Sequence, residues 1–317
     1  MIAFITIHPA NYISNLAKYH LTKFGKADVI YLNGSIAEKP WRELIVNKPI
    51  IFSLRKIKGY DEIIFPGWYN WKVIFFYIFC KMIGKRVSLF IDHIGKNTFI
   101  PFYVKLYLSL SHNVYSASYT LSELLNANKI KNFILPYGLT FEELYERKFK
   151  VEVSEIKSRK RLFIANRFIE RKGWRTFVSS LRRINHNQID KLVVAGGGPI
   201  CQEIIGELKS VLSDVDYLGW VELTQYRKTL INSDLFLHLS DFEPFGVPPL
   251  DAFLLGKIIV VSDSVFSMLP FKGLNGVYMF VSGDYLSLAS AINSALAKND
   301  LINIEERYRD YCRIYLK

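Results

Sequence analysis

The chain has 317 residues, too long for one ordinary domain and sufficient for two of about 150. Half of the residues are apolar and 15% aromatic, so each half can bury a core and a disordered chain is excluded. Lys and Arg number 41 against 29 Asp and Glu, and the resulting charge of +12 suits an anionic partner: nucleic acid, an anionic membrane surface or a phosphorylated small molecule.

The opening residues, MIAFITIHPANYISNL, have no basic stretch before the apolar run and no small-residue cleavage site. They predict a strand over 2–7 rather than a signal peptide. A helix over 13–24 and a strand over 29–32 follow, then strands over 62–65, 87–91, 113–116 and 133–135. Helices over 71–83 and 102–109 lie between them. The longest uninterrupted apolar run, 73–80, is far short of the ~18 residues of a membrane-crossing helix. Residues 146–160, ERKFKVEVSEIKSRK, are charged and aperiodic and read as a linker. Beyond it, strands over 161–165, 191–195, 217–218, 235–239, 258–261 and 277–281 alternate with helices over 174–184, 200–212, 223–231, 249–255 and 285–296. Such alternation predicts an α/β chain of two doubly wound, Rossmann-like parallel-sheet domains, 1–150 and 151–302. Cys80, Cys201 and Cys312 are far apart and odd in number, which suits a reducing cytosol without a disulfide framework.

In open α/β sheets ligands bind beyond the carboxyl ends of the strands, so the loops after Ala165, Ala195, Leu218 and Leu239 hold the candidates. Arg167 follows the first of these strands, and Lys172 stands just before Gly173 and a helix. Two cations facing a helix N-terminus make a site for a diphosphate. Read structurally, they are solvated loop cations. After Ala195, the run Gly196-Gly197-Gly198-Pro199 allows a ligand close to the backbone, or merely turns the chain. After Leu239, Glu243 lies in the strand-to-helix loop and Asp251 eight positions later. Carboxylates there can accept hydrogen bonds from sugar and ribose hydroxyls, while the N–H groups of Phe245, Gly246 and Val247 face the phosphates. Asp251 could equally complement the helix dipole.

Together these loops resemble the donor half of glycosyltransferase family 4, the retaining GT-B group, over residues 161–262. FIANRFIERKG resembles its Gly-Arg…Glu-Lys-Gly segment, KLVVAGGGP its strand and Gly-x-Gly-Pro, VDYLGWV its Phe-Leu-Gly-x-Val, and EPFGVPPLD its Glu-x7-Glu motif. The resemblance implies the GT-B fold, with the two domains facing across a cleft, acceptor bound by the first and donor by the second. It implies that residues 303–317 form a helix crossing back to the first domain, with Tyr308, Tyr311 and Tyr315 on the crossing piece. Arg167 and Lys172 would neutralise the donor diphosphate as the glycosidic bond breaks, so no metal or other cofactor is required. Glu243 would orient the transferred sugar, and Gly197, Phe245, Gly246 and Val247 would line the donor. Asp251, where the family has Glu, would bind the ribose one methylene short. No residue is a covalent nucleophile.

The first half resembles the family more faintly. VSLFIDHIGKN resembles the strand and loop that carry a His near the sugar, so His93, or Asp92 one place earlier, takes that role. The family's glycine-rich loop after the first strand is replaced by Ile7-His8-Pro9-Ala10-Asn11, where His8 is either a pocket residue or a surface one. Asp214-Val215-Asp216 has the form of a metal-binding Asp-x-Asp pair, but it precedes a strand and points away from the predicted ligand end. Residues 67–86, aromatic and flanked by Lys72, Lys81, Lys85 and Arg86, suit either a helix in a membrane interface or an ordinary buried helix.

The expectation is therefore a retaining transferase taking a nucleotide diphosphate sugar to a glycan or lipid-linked acceptor in bacterial surface polysaccharide synthesis. It would work in the cytoplasm, with an anionic membrane surface as a further partner. The alternative is an inactive nucleotide-sugar-binding or scaffold protein of the same fold. The KSRKR tract at 157–161 carries none of the common nucleic-acid signatures, so nucleic acid is not an expected partner. Base, sugar, acceptor and oligomeric state are not legible.

Overall fold

The structure, a computed structural model, describes residues 1–6, 27–31, 50–51, 57–67, 71–94, 100–137, 139, 158–298 and 302–316. The chain divides into two compact units, Met1–Tyr145 and Glu146–Lys317. The helix expected over 13–24, His8, and the linker up to residue 157 lie outside the described residues.

In the first unit the strands are β1 (Ile2–Thr6), β2 (Ala27–Tyr31), β3 (Ile50–Ile51), β4 (Glu62–Pro66), β5 (Arg86–Ile91), β6 (Val114–Ser116) and β7 (Phe133–Ile134). Helices α1 (Trp71–Met82), α2 (Phe102–Ser109) and α3 (Tyr119–Ala127) fall between them. The sheet runs in the order β3-β2-β1-β4-β5-β6-β7, with every pair parallel. Its strands are continuous apolar runs because both faces of a parallel sheet are covered. Ile63, Phe65, Leu89 and Ile91 point into one core with Val73, Tyr77 and Cys80 of α1. One strand escaped the sequence, β3, only two residues long, while the start of α3 is set by Ser118 accepting from the Leu121 amide.

The second unit contains β8 (Lys160–Ala165), α4 (Trp174–Ser180), β9 (Ile189–Ala195), α5 (Cys201–Val211), β10 (Val215–Gly219), α6 (Leu223–Ile231), β11 (Leu235–His238), α7 (Val247–Leu254), β12 (Ile258–Ser262), β13 (Val277–Phe280), α8 (Tyr285–Leu296) and α9 (Ile304–Tyr315). Its sheet is parallel throughout, in the order β10-β9-β8-β11-β12-β13. Leu162, Ile164, Leu192 and Val194 point to one face, against Trp174 and Phe177 of α4, Ile204 of α5 and Ile292 of α8. The alternate residues Phe163 and Phe236 meet edge-on at 5.7 Å on the other face. The helix expected over 174–184 breaks after Ser180 into a 3₁₀ turn, Leu181–Arg183. Among the described residues no helix is long and apolar enough to cross a membrane.

The final helix, expected from the sequence to cross back to the first domain, is counted with the second unit, Glu146–Lys317. Arg307 explains why. It is buried and donates to the carbonyls of Phe253 (3.1 Å), Lys257 (2.7 Å) and Asn275 (2.7 Å). The Phe253 carbonyl, in the last turn of α7, also accepts from the Gly256 amide at 3.1 Å, so Arg307 adds a second donor at the end of that helix. Tyr315 adds a hydroxyl bond to the Ser267 carbonyl at 2.9 Å.

Candidate donor site

Strand order reverses between β8 and β11, neighbours in the sheet though far apart in sequence (Leu235↔Leu162, Leu237↔Ile164). This is where a doubly wound sheet opens a crevice at its carboxyl edge. The loops after β8 and β11 leave that edge side by side and are stitched together. The Asp241 amide donates to the Arg171 carbonyl at 2.9 Å, and the Arg171 guanidinium to the Phe242 carbonyl at 3.1 Å.

The first loop is held from below. Phe168 and Trp174 stack with centroids 4.1 Å apart, and the Trp174 indole donates to the Arg167 carbonyl at 2.8 Å. Residues Glu170–Lys172 make one 3₁₀ turn, which ends at Gly173 with φ of +70°. A Cβ on Gly173 would lie 2.0 Å from the Leu239 carbonyl oxygen, so only glycine lets the two loops touch here.

That contact aims Lys172 at Glu243. The buried Lys172 ammonium donates to Glu243 Oε2. The same oxygen lies 3.5 Å from His238 Nε2 and 3.4 Å from the Ser240 hydroxyl. Ser240 in turn lies 3.3 Å from His238 Nε2 and accepts from the Asn166 side-chain amide at 3.3 Å. His238 Nδ1 is buried with no hydrogen-bond partner among the described residues. We therefore assign the ring proton to Nε2, where the carboxylate can accept it. Burial lowers the His238 pKa, so the ring is neutral.

Burial also works to raise the Glu243 pKa, but the His238 hydrogen bond and the Lys172 charge outweigh it and hold the carboxyl at about 2. Burial lowers the Lys172 pKa, and Glu243 opposes it. Because the folded Glu243 pKa lies below its ordinary 4.5, the carboxylate stabilises the fold fully above pH 4.5 and loses that contribution as pH falls towards about 2. In an acid titration the wild type should lose Tm more steeply across that window than Glu243→Gln. Equal slopes would refute the pairing.

The other expected residues sort as follows. Arg167 is exposed in the same loop as Lys172. Gly197 accepts the Phe168 amide at 3.0 Å, and a Cβ there would come within 2.4 Å of Trp220 Nε1, so it supports an exposed indole at the sheet edge. Phe245 is buried, and its carbonyl and that of Gly246 both accept from Ser267, at 3.2 Å each. Val247 begins α7; Pro248 and Pro249 bring no N–H, so the donors at this helix start come from Gly246 and Val247. Asp251 lies away from the surface. It is fully buried in α7 and accepts from the Tyr226 hydroxyl at 3.5 Å, so a ribose contact requires it to become accessible. Burial, with Asp251 adding to it, raises the Tyr226 pKa well above its ordinary value.

His93 belongs to the first unit, at the end of β5. Its Nδ1 lies 2.7 Å from Asp92 Oδ1, and Tyr137 donates to the other Asp92 oxygen at 3.1 Å, so the two candidates pair with each other. Asp214 sits before β10, 3.5 Å from the Lys191 ammonium. Among the described residues no cluster of three or more His, Cys, Asp or Glu is placed to hold a metal ion. His238, Ser240 and Asn166 were not singled out in the sequence. Their signal was available: polar residues in or just past apolar strand ends at the switch point.

A family model described as Glycosyl transferases group 1 matches residues 146–313, just over half of the chain. A 41.2 kDa protein of the cps region of Klebsiella pneumoniae is 23% identical over 248 residues, covering 78% of this chain and 63% of that protein. A glycosyltransferase of Methanocaldococcus jannaschii is 26% identical over 157 residues, 48% of this chain and 40% of its own length. The chain thus spans less than two thirds of the length of these curated relatives. Among solved structures, Anabaena HepE in complex with UDP and glucose aligns with a TM-score of 0.71 at 15% identity, over 99% of this chain and 95% of its own. Sucrose-phosphate synthase from Thermosynechococcus elongatus aligns at 0.69 and 15%, over 99% and 94%. These likenesses establish the GT-B fold.

Proposed function

The chain belongs to the group 1 glycosyl transferases, and on that footing we propose that it moves a sugar from a nucleoside diphosphate donor to a glycan or lipid-linked acceptor, with retention, as glycosyltransferase family 4 does. The observation that carries this reading is the Lys172–Glu243 pair at the switch point of the second sheet. An ammonium has three N–H donors, so Lys172 can hold Glu243 and a phosphate oxygen together. As the anomeric C–O bond breaks, negative charge grows on the departing diphosphate, and Lys172 with Arg167 stabilises it. Glu243, kept ionised by His238 and Lys172, accepts hydrogen bonds from the sugar hydroxyls. The acceptor oxygen attacks from the leaving-group face, and its proton passes to the leaving phosphate, so configuration is retained without a covalent enzyme intermediate.

HepE was solved with UDP and glucose, which makes UDP-sugars the first donors to try. The cps-region relative supports surface polysaccharide synthesis, and the cytoplasmic side, where nucleotide sugars are made, is the proposed place of work. Radiolabelled UDP-sugars incubated with acceptor oligosaccharide or lipid extract should release UDP and give a product with the donor's anomeric configuration. Turnover should persist in excess EDTA, because Arg167 and Lys172 supply the positive charge. Loss restored by Mg²⁺ or Mn²⁺ would overturn the metal-free reading.

One observation favours a second reading. With Asp251 fully buried, the ribose contact is absent from the resting chain, as in a protein that binds nucleotide sugars without transferring them. Donor-induced thermal stabilisation with no UDP release from any donor–acceptor pair would decide for it.

A further inference from the structure

Helices α1 and α2 are apolar on the wrong side. The sheet-facing residues of α1 are Val73, Tyr77 and Cys80, as a surface helix requires. Its opposite stripe, Trp71, Phe75, Ile78 and Met82, repeats at helical spacing and would be polar in a helix facing only water. Instead Trp71 is 71% and Met82 81% exposed. Helix α2 repeats the pattern: Val104 and Leu108 are buried, while Phe102 is 79% exposed and Leu106 51%.

The two helices lie side by side. Tyr77 and Tyr107 pack with ring centroids 4.6 Å apart, the Tyr77 hydroxyl lies 3.0 Å from Ser111 Oγ, and the Lys81 ammonium donates to the Leu110 carbonyl. Charge then identifies the occupant. The two helices carry Lys72, Lys81 and Lys105 and no acidic residue. A second copy of the chain would set the same cations against each other across a two-fold axis, which is unfavourable. An anionic phospholipid surface accepts both parts, apolar side chains below the headgroups and cations among them. Helix α1 has 12 residues and is too short to span a bilayer, so it would lie in the interface plane.

We propose that the exposed face of α1 and α2 is a docking surface for anionic phospholipid membranes. The inference does not depend on the transfer reaction, since its test measures binding alone. The full chain is mixed at low salt with vesicles of phosphatidylglycerol and phosphatidylcholine, or of phosphatidylcholine alone, and sedimented. The expected result is at least tenfold more protein with the anionic vesicles, partly released by high salt. Phe75→Ser with Phe102→Ser, both at exposed sites, should reduce binding about tenfold with Tm unchanged. Lys72→Gln with Lys105→Gln should reduce it roughly 30-fold, each cation near an anionic surface contributing about 1 kcal/mol. Full recovery in the supernatant with anionic vesicles, or binding untouched by both double variants, would overturn the proposal. So would a dimer in solution that the Phe75→Ser, Phe102→Ser variant dissociates, since the face would then belong to a second copy.

Discussion

Lys172→Ala should lower kcat by roughly 10²–10³-fold, the usual effect of removing one group that stabilises charge developing in the transition state. The structure adds a second effect. Lys172 is buried, and its removal leaves the Glu243 carboxylate with His238 as its remaining strong donor. Breaking a buried ion pair from one side costs about 3–5 kcal/mol, so Tm should fall as well. The two effects separate in the variant Lys172→Ala, Glu243→Gln, which removes both charges. That variant should recover most of the lost Tm and none of the lost turnover. Recovery of both would mean that Lys172 acts only through the fold, and the diphosphate role would fail.

Gly173→Ala should be among the most damaging single methyl groups in the second unit, with Gly196→Ala, whose added carbon would lie 1.9 Å from the Asn166 carbonyl oxygen. At Gly173 the added carbon would lie 2.0 Å from the Leu239 carbonyl oxygen and 2.8 Å from its carbon, and φ of +70° is a region that alanine avoids. Backbone strain and overpacking together should cost ~3 kcal/mol or more. For a unit of this size that is roughly 6–12 °C in Tm. The shift would also re-aim the neighbouring Lys172, so turnover should drop beyond what stability explains. Gly206→Ala provides the control. It lies within α5 with open space around the site of a Cβ, and a helix interior favours alanine over glycine by about 0.5–1 kcal/mol. A Gly173→Ala protein as stable as wild type would show that the loops can separate there without cost.

Much of this site was legible because each half follows a strand. Lys172 and Glu243 are 71 positions apart, but both sit in loops leaving carboxyl ends, and a doubly wound sheet gathers such loops. Their direct pairing was not legible, since it depends on β8 and β11 being neighbours. His238 was hidden for a related reason. Within Leu235–His238 it stands where an apolar residue would, and only the tertiary structure shows its Nε2 turned to the carboxylate. The depth of Asp251 was not legible, because spacing reports sequence position and not burial. Helix α7 is buried from Pro249 to Leu254, and Arg307 ties α9 to its end. In helix α9 the spacing of Tyr311 and Tyr315 marks the buried side, but the burial of Arg307 beside them was not legible, because a cation in a charged helix reads as exposed. The strands, by contrast, announced themselves as apolar runs, apart from β3, which is too short to carry a pattern.

The pairing of β8 with β11 also sets a timetable. It brings Arg161 to Asp234, where the amide donates to the carboxylate at 2.8 Å, across a sequence separation of 73. Contacts so distant in sequence must wait for the chain between them, here β9, β10 and the helices that join them, and long-range parallel pairing is slow to form. Until it closes, Lys172 and Glu243 have no reason to meet. The Lys172–Glu243 pair is therefore among the last things this unit acquires on refolding. Dilution from denaturant should restore helical signal before it restores the capacity to hold a nucleotide.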